Sequence, residues 1–166
     1  MKSLISLVKS FGYAFRGVFF ALRYERNFRI HAVCMAYMYG FLSVYDFFEV
    51  TRTGWAVLFL ANAMVVAAEL VNTAVERAVD LASKEHTEKG KIAKDTAAGA
   101  VLCCAIFAVC AGIAVLGPAA AFKKMIAYYI ENPWMFAVFV LSIIPATLFI
   151  FKGFGKQSRQ SNSSEN

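Results

Sequence analysis

The feature that most constrains this chain is a set of polar residues in the second half of a long apolar segment. The segment begins near Gly54 and keeps a helical pattern to about Ala82, which exceeds the roughly 20 residues that a bilayer requires. Its polar residues recur at spacings of three, four and four and so share one helix face: Glu69, Asn72, Glu76 and Asp80. Because an ionised carboxylate in hydrocarbon is costly, such residues normally face a protein interior or water. This polar stripe predicts a site near a membrane surface that handles a cation, a proton or a phosphate.

The composition identifies the class of protein. Of the 166 residues, 60% are hydrophobic, and the mean hydropathy of +0.58 lies well above the range of soluble proteins. We therefore predict an all-α integral membrane protein. The net charge of +6 is better explained by membrane orientation and anionic lipid headgroups than by nucleic acid, because no nucleic-acid-binding motif accompanies it. The four cysteines lie in apolar segments and predict neither disulfides nor a metal site.

The chain divides into four regions by composition and pattern. Residues 1–29 mix apolar and basic positions and predict an amphipathic helix lying in the membrane surface. Residues 30–117 predict a core of three transmembrane helices. Residues 118–152 predict an interfacial segment followed by an extra C-terminal transmembrane helix, and residues 153–166 predict a disordered tail. The three predicted core spans cover about 30–48, 54–82 and 96–116.

The basic residues are unevenly distributed between the two sides of the predicted membrane. Of the 17 Lys and Arg residues, fourteen lie on the side of the N-terminus, the 77–95 connection and the tail. The other side has three: Arg52, Lys123 and Lys124. The positive-inside rule places the first side in the cytoplasm, where nucleotides are available. We predict a multi-pass membrane protein whose N-terminus and polar stripe face the cytoplasm.

The carboxylates of the stripe are the candidates for catalysis and metal binding. Glu69 is the deepest; it could act as a general base toward an alcohol or form a structural contact between helices. Asn72 could orient a substrate hydroxyl or bridge helices. Glu76 is well placed to ligate Mg²⁺, which prefers oxygen ligands and often keeps waters and phosphate oxygens as the others. Glu25, just before the first core span, is the candidate second ligand, with a solvated interfacial charge as the alternative.

Further polar residues continue the predicted site into the cytoplasm. Asp80 could meet a nucleotide or an arginine, or could begin a turn. Lys94, beside Asp95, could neutralise phosphate charge or could simply flank the third span. The glycine-rich phosphate-binding motifs do not occur in the sequence, so a nucleotide would be held in another way. His31 and His86 are isolated, and we interpret both as structural.

Two segments resemble a known protein family. The first is Glu-Leu-Val-Asn-Thr-Ala-Val-Glu at 69–76, followed by Asp80; the second is Ala-Lys-Asp-Thr-Ala-Ala-Gly-Ala-Val-Leu at 93–102. Together they closely resemble the small bacterial membrane lipid kinases, the prokaryotic diacylglycerol kinase and undecaprenol kinase family. The segments at 25–31 and 12–17 are also similar to this family.

The resemblance implies a homotrimer in a bacterial cell membrane, with each active site built between neighbouring subunits. It implies transfer of the γ-phosphoryl group of ATP, with Mg²⁺, to a lipid alcohol at the cytoplasmic interface. By matched position, Glu69 is the general base, Asn72 belongs to the surrounding polar site, and Glu25 and Glu76 bind the metal. The same matching assigns nucleotide contacts to a larger set: Tyr13, Glu25, Glu76, Asp80, Glu85, His86, Thr87, Lys94 and Asp95.

The sequence departs from the family in three places. Ser6 stands where the family commonly has a basic residue, the 85–91 loop does not closely follow the diacylglycerol kinases, and residues 133–166 lie outside the three-span core. Glu-Arg-Asn at 25–27 with His31 is more similar to the undecaprenol kinases, so we predict undecaprenol as the substrate. Diacylglycerol, giving phosphatidic acid, is the second candidate. A transport subunit is disfavoured, because a conduction pathway needs polar groups across the full membrane depth. A non-catalytic membrane scaffold, with the stripe as a seam between helices, is the remaining alternative.

Overall fold

The computed structural model describes residues 2–82, 87–117 and 119–153, and all regular structure in these ranges is α-helical. Six helices follow one another in the described ranges: α1 (Lys2–Tyr24), α2 (Arg26–Val44), α3 (Arg52–Ala82), α4 (Glu88–Leu116), α5 (Ala119–Glu131) and α6 (Pro133–Lys152). The predicted all-α class is confirmed. Of the tail that the sequence predicts to be disordered, residues 154–166 lie outside the described ranges.

Two helices begin earlier than the apolar pattern indicates. α2 begins at Arg26 rather than near residue 30, because the chain turns at Glu25, whose backbone is extended (φ −96°, ψ 114°). α4 begins at Glu88, because the Thr87 hydroxyl accepts a hydrogen bond of 3.1 Å from the Gly90 N–H and caps the helix. Residues 88–95, part of the charged 77–95 connection predicted from the sequence, therefore form the first turns of α4.

Four helices are long and apolar enough to cross a membrane: α1 from Leu4 to Tyr24, α3, α4 and α6. This set includes α1, which we predict to lie in the membrane surface, and omits α2, which we predict to be a span. The polar residues Arg26, Arg29 and His31 in the first two turns of α2 lower its hydropathy. The surface position of α1 and the membrane crossing of α2 stay predictions.

The central helix is α3, which contacts α1, α2 and α4. Gly54 near the start of α3 faces Val115 near the end of α4. Gly90 near the start of α4 faces Val79 near the end of α3, so the two helices run antiparallel. A Cβ on either glycine would lie 3.0 Å from a valine Cγ1. Glycine at these two positions therefore lets the helices approach closely.

Helix α2 is held in register against both α3 and α6. The Tyr39 hydroxyl donates to the Leu58 carbonyl of α3 at 3.2 Å and accepts from the Asn62 amide at 3.0 Å. The hydroxyls of Tyr37 and of Ser142 on α6 lie 2.8 Å apart. These contacts fix which residues of α2 face the polar half of α3.

The buried core within one chain is small. In the described ranges its apolar members are Ala21, Phe28, Leu58, Val65 and Ala121. Many large apolar side chains on α1, α4 and α6 are exposed, which is typical of helices that contact lipid or a neighbouring subunit. The buried polar residues are concentrated on two helices, α2 and α3: Arg29, Glu69, Asn72 and Thr73.

Candidate active site

The polar stripe of α3 begins with a buried carboxylate. Glu69 is 2% exposed, and its Oε1 lies 3.2 Å from Nε2 of His31 on α2. The antiparallel packing of α2 against α3 brings the two side chains together. A buried polar group needs such a partner, because burying it without a hydrogen bond costs about 1–3 kcal/mol. Glu69 and His31 therefore form a fixed polar centre.

Asn72 and Glu76 form the next part of the stripe. The Asn72 amide nitrogen Nδ2 donates to Glu76 Oε1 at 3.0 Å. The amide oxygen Oδ1 of Asn72 is buried and has no hydrogen-bond partner among the described residues. Because an unsatisfied buried acceptor costs about 1–3 kcal/mol, this oxygen is suited to a ligand that brings a proton donor or a positive charge.

The corner between α1 and α2 brings Glu25 to the same region of α3. The Glu25 side chain makes no capping hydrogen bond to α2, and its carboxylate lies 3.6 Å from the Arg77 guanidinium. Arg77 also stacks over the Phe20 ring of α1, with 4.7 Å between Cζ and the ring centroid. Glu25 therefore contacts, through Arg77, the turn of α3 that also contains Glu76.

The oxygen atoms of this region fit a small hard cation. Mg²⁺ is usually bound by one or two protein carboxylates and completes its shell with waters and substrate phosphates. Glu25, Glu76 and the unused Asn72 oxygen are ligands of this type. The described part of the chain contains no group of three or more His, Cys, Asp or Glu side chains that could hold a metal ion. The remaining ligands would thus be phosphate oxygens, waters or groups of a neighbouring subunit.

Four of the residues predicted to contact nucleotide lie at the junction of α3 and α4. Asp80 and Lys94 form an ion pair between the two helices. Asp95 is exposed on the next position of α4. The Thr87 hydroxyl is used as the N-cap of α4. These positions form a charged surface that continues beyond Glu76, and no contact in the described ranges assigns them a ligand.

Tyr13, another predicted nucleotide contact, is not joined to this surface within the described ranges. Tyr13 lies exposed on α1, where the Arg16 guanidinium is 4.8 Å from its ring centroid. Within the described ranges, the Tyr13 ring makes no hydrogen bond or ring contact with the stripe. Glu85 and His86 lie outside the described residues.

An apolar cleft of about 440 Å³ lies between α1 and α3. Its lining includes Ala14, Gly17 and Ala21 of α1 and Leu70, Thr73 and Arg77 of α3. Leu70 and Thr73 adjoin residues of the polar stripe in sequence, so the cleft borders the site.

Two contacts in this arrangement are not predicted from the sequence. We interpret His31 from the sequence as an isolated structural histidine, whereas in the structure it contacts Glu69. Arg77 is one of the basic residues in the sequence, and in the structure it pairs with Glu25. The only signal for His31 is its place in the segment that begins at Glu25. The contact between His31 and Glu69 forms because α2 packs against α3.

The fold and the site define a helical membrane protein with a carboxylate-rich site on its central helix. Comparison with known proteins identifies the family. The family model described as prokaryotic diacylglycerol kinase matches residues 12–116. The chain belongs to this family and is a lipid kinase. The match covers α2, α3, α4 and half of α1, and ends before α5 and α6.

Two curated relatives differ in their named lipid. The undecaprenol kinase of Bacillus subtilis (strain 168) is 38% identical over 112 residues, covering 66% of this chain and 87% of that protein. The diacylglycerol kinase of Synechocystis sp. (strain ATCC 27184 / PCC 6803 / Kazusa) is 41% identical over 114 residues, covering 68% of this chain. The match spans 63% of the length of this second relative. No solved structure matches the chain significantly.

Replacing His31 by leucine should destabilise the protein, because the buried Glu69 carboxylate loses its partner. We expect a loss of about 1–3 kcal/mol in the free energy of unfolding, measured by denaturant unfolding in detergent micelles with circular dichroism. The double variant His31→Leu/Glu69→Leu should recover most of this loss, since neither partner is then left unsatisfied. A double variant no more stable than His31→Leu would contradict this account of the contact.

Proposed function

We propose that the protein transfers the γ-phosphoryl group of ATP to undecaprenol, with Mg²⁺, at the cytoplasmic face of the membrane. Membership of the lipid kinase family supports the reaction class. The observation that most supports this mechanism is the buried Glu69 beside His31, with the oxygen ligands of Asn72 and Glu76 further along the same face. Phosphoryl transfer to an alcohol requires a group that takes the hydroxyl proton and a polar site that stabilises phosphate charge.

In this proposal Glu69 accepts the proton of the lipid hydroxyl. The hydroxyl oxygen forms a bond to the γ-phosphorus of ATP, the bond from that phosphorus to the β,γ-bridging oxygen breaks, and ADP leaves. The 3.2 Å contact with His31 holds the Glu69 carboxylate in one orientation. Burial of Glu69 excludes water from the base, which favours transfer to the lipid over hydrolysis.

Glu25, Glu76 and Asn72 are the proposed metal-binding residues. The chemistry that Mg²⁺ supplies when bound is neutralisation of negative charge on the nucleotide phosphates. Arg77 keeps Glu25 beside α3 through their ion pair, and Lys94 provides a cation where α4 begins. The other proposed nucleotide contacts follow from the family resemblance: Tyr13, Asp80, Glu85, His86, Thr87 and Asp95.

Two observations favour undecaprenol as the substrate: the resemblance of residues 25–31 and the extent of the match to the relative named undecaprenol kinase. The segment from Glu25 to His31 resembles the undecaprenol kinases, and the matched region covers 87% of the relative of that name. The apolar cleft between α1 and α3 would accept part of a long hydrocarbon chain. Diacylglycerol is the second candidate, because the relative named diacylglycerol kinase is 41% identical.

Glu69→Gln should reduce phosphate transfer from labelled ATP to undecaprenol in mixed micelles by at least about 100-fold, because an amide does not accept the hydroxyl proton. Glu49→Gln is the matched control: Glu49 is an exposed acid between α2 and α3, and its loss should leave the rate unchanged. Full turnover by Glu69→Gln would remove Glu69 from the mechanism.

The same assay with each lipid alone identifies the substrate. We expect a higher kcat/KM for undecaprenol than for diacylglycerol. A higher kcat/KM for diacylglycerol would identify diacylglycerol as the substrate. Absence of lipid-dependent ATP consumption with either lipid would favour a transport subunit or a scaffold.

We also propose that the polar end of α3 faces the cytoplasm, since fourteen of the 17 basic residues lie on that side of the predicted topology. In a cysteine-free background, Lys91→Cys should be protected from a membrane-impermeant maleimide added to spheroplasts. Lys124→Cys, on the opposite side, should be labelled. Both positions are exposed in the structure, so a reversed labelling pattern would contradict this orientation.

A homotrimer with sites between neighbouring subunits is the proposed assembly. None of the 29 residues of α4 is buried within its own chain, and Gly99 and Gly112 on this helix have open space beside them. Small residues of this kind allow close contact between helices in a membrane. Native mass spectrometry in detergent should give three chains of 18.3 kDa each, and a monomeric mass would contradict the shared site.

A further inference from the structure

Arg29, in the first turn of α2, is buried, with 5% of its surface exposed. Its Nε donates to the Ile150 carbonyl of α6, and its Nη1 donates to the Arg23 carbonyl of α1, both at 2.9 Å. Both carbonyls lie in the last turn of their helices, where backbone acceptors lack intrahelical partners. One guanidinium therefore binds the C-terminal ends of two helices.

The charge of Arg29 is balanced by these helix ends. Within the described ranges, Arg29 forms no ion pair with a carboxylate. A buried cation requires compensation, and the C-terminal ends of α1 and α6 supply partial negative charge. The planar guanidinium presents several donors in fixed directions, whereas a lysine ammonium lacks this fork geometry.

Gly153 ends α6 directly against this guanidinium. Its φ of 58° and ψ of −158° favour glycine, and its N–H donates to the Phe149 carbonyl at 2.9 Å. A Cβ at this position would lie 3.0 Å from the Arg23 carbonyl oxygen and 3.1 Å from Arg29 Nη1. Glycine is thus the residue that lets the end of α6 close over Arg29.

Helix α6 stays packed along α2 beyond its contact with Arg29. The hydroxyl contact between Tyr37 and Ser142 lies eight residues from Arg29 on α2 and eight from Ile150 on α6, a distance of about 12 Å along a helix. The two helices are therefore antiparallel and in continuous register. The region that matches the family model ends at residue 116, so α6 is an addition to it.

We propose that α6 is a positioning element of the active site. It acts through Arg29, which fixes the corner that presents Glu25. Arg29 ties α2 to the end of α1 by its bond to Arg23, and its N–H donates to the Glu25 carbonyl at 3.2 Å. Glu25 lies between these two arginines, so its backbone is held from both sides. The inference depends on the proposed function, in which Glu25 binds metal; Arg29 is a positioning residue.

Gly153→Ala in the full-length chain tests this inference. The added Cβ and the strained φ should displace the end of α6 from Arg29 and loosen Glu25. With Mn²⁺ alone as the probe, titrated by electron paramagnetic resonance, we expect the Kd to rise about 10-fold, as is usual for the loss of an outer-shell partner of a metal site. In the kinase assay, the Mg²⁺ concentration for half-maximal rate should rise while kcat at saturating Mg²⁺ stays unchanged.

Two further variants separate positioning from stability. Gly40→Ala on α2, where a Cβ meets no atom within 4 Å, should leave the Mn²⁺ Kd unchanged. Arg29→Lys keeps the charge but lacks the fork geometry, and should weaken Mn²⁺ binding as Gly153→Ala does. In a Glu25→Gln background, Gly153→Ala should weaken Mn²⁺ binding no further.

The outcomes distinguish this inference from the proposed function. A Gly153→Ala protein with a lower Tm and kcat but an unchanged Mn²⁺ Kd would show a purely structural role and overturn the inference, as would unchanged values throughout. A wild-type protein that binds Mn²⁺ but phosphorylates no lipid would contradict the proposed function, and the Kd comparison would still decide the role of α6. Absence of Mn²⁺ binding by the wild-type protein would overturn the metal site and the inference together.

Discussion

A carboxylate on a membrane helix has to be enclosed by protein, and the arrangement of helices around Glu69 meets this requirement. α2 places His31 against the carboxylate, and Asn72 and Thr73 are buried on the following turn of α3. α3, which carries these costly side chains, contacts α1, α2 and α4, so three helices help to enclose it. The rest of the chain buries little of its apolar surface and leaves it for lipid or neighbouring subunits.

The corner between α1 and α2 organises the second half of the site. Its extended residue, Glu25, carries a carboxylate that reaches Arg77 on α3, and the first two turns of α2 contain Arg29 and His31. A single short segment therefore contacts the predicted metal site, the end of α6 and the predicted base. Since the family match includes this corner but not α6, a helix outside the matched region is attached to a part of the site inside it.

Local patterns explain the helical architecture but not its boundaries. The all-α class and the length of α3 follow from hydropathy and periodicity, which depend on neighbouring residues in the sequence. α2 and α4 begin earlier than these patterns indicate, because a backbone turn at Glu25 and the Thr87 cap set their first residues. Hydropathy also selects α1 rather than α2 as a possible span, since Arg26, Arg29 and His31 lower the hydropathy of α2.

The sequence by itself determined that Glu69, Asn72 and Glu76 lie on one helix face, because helical periodicity alone fixes that relation. Only the tertiary structure decided the partners of Glu69 and Glu25. His31 meets Glu69 because of the register in which α2 packs against α3, and Arg77 meets Glu25 because the chain turns between α1 and α2. These partners lie on different helices, and the register between packed helices depends on the shape of whole faces, which no short sequence pattern specifies.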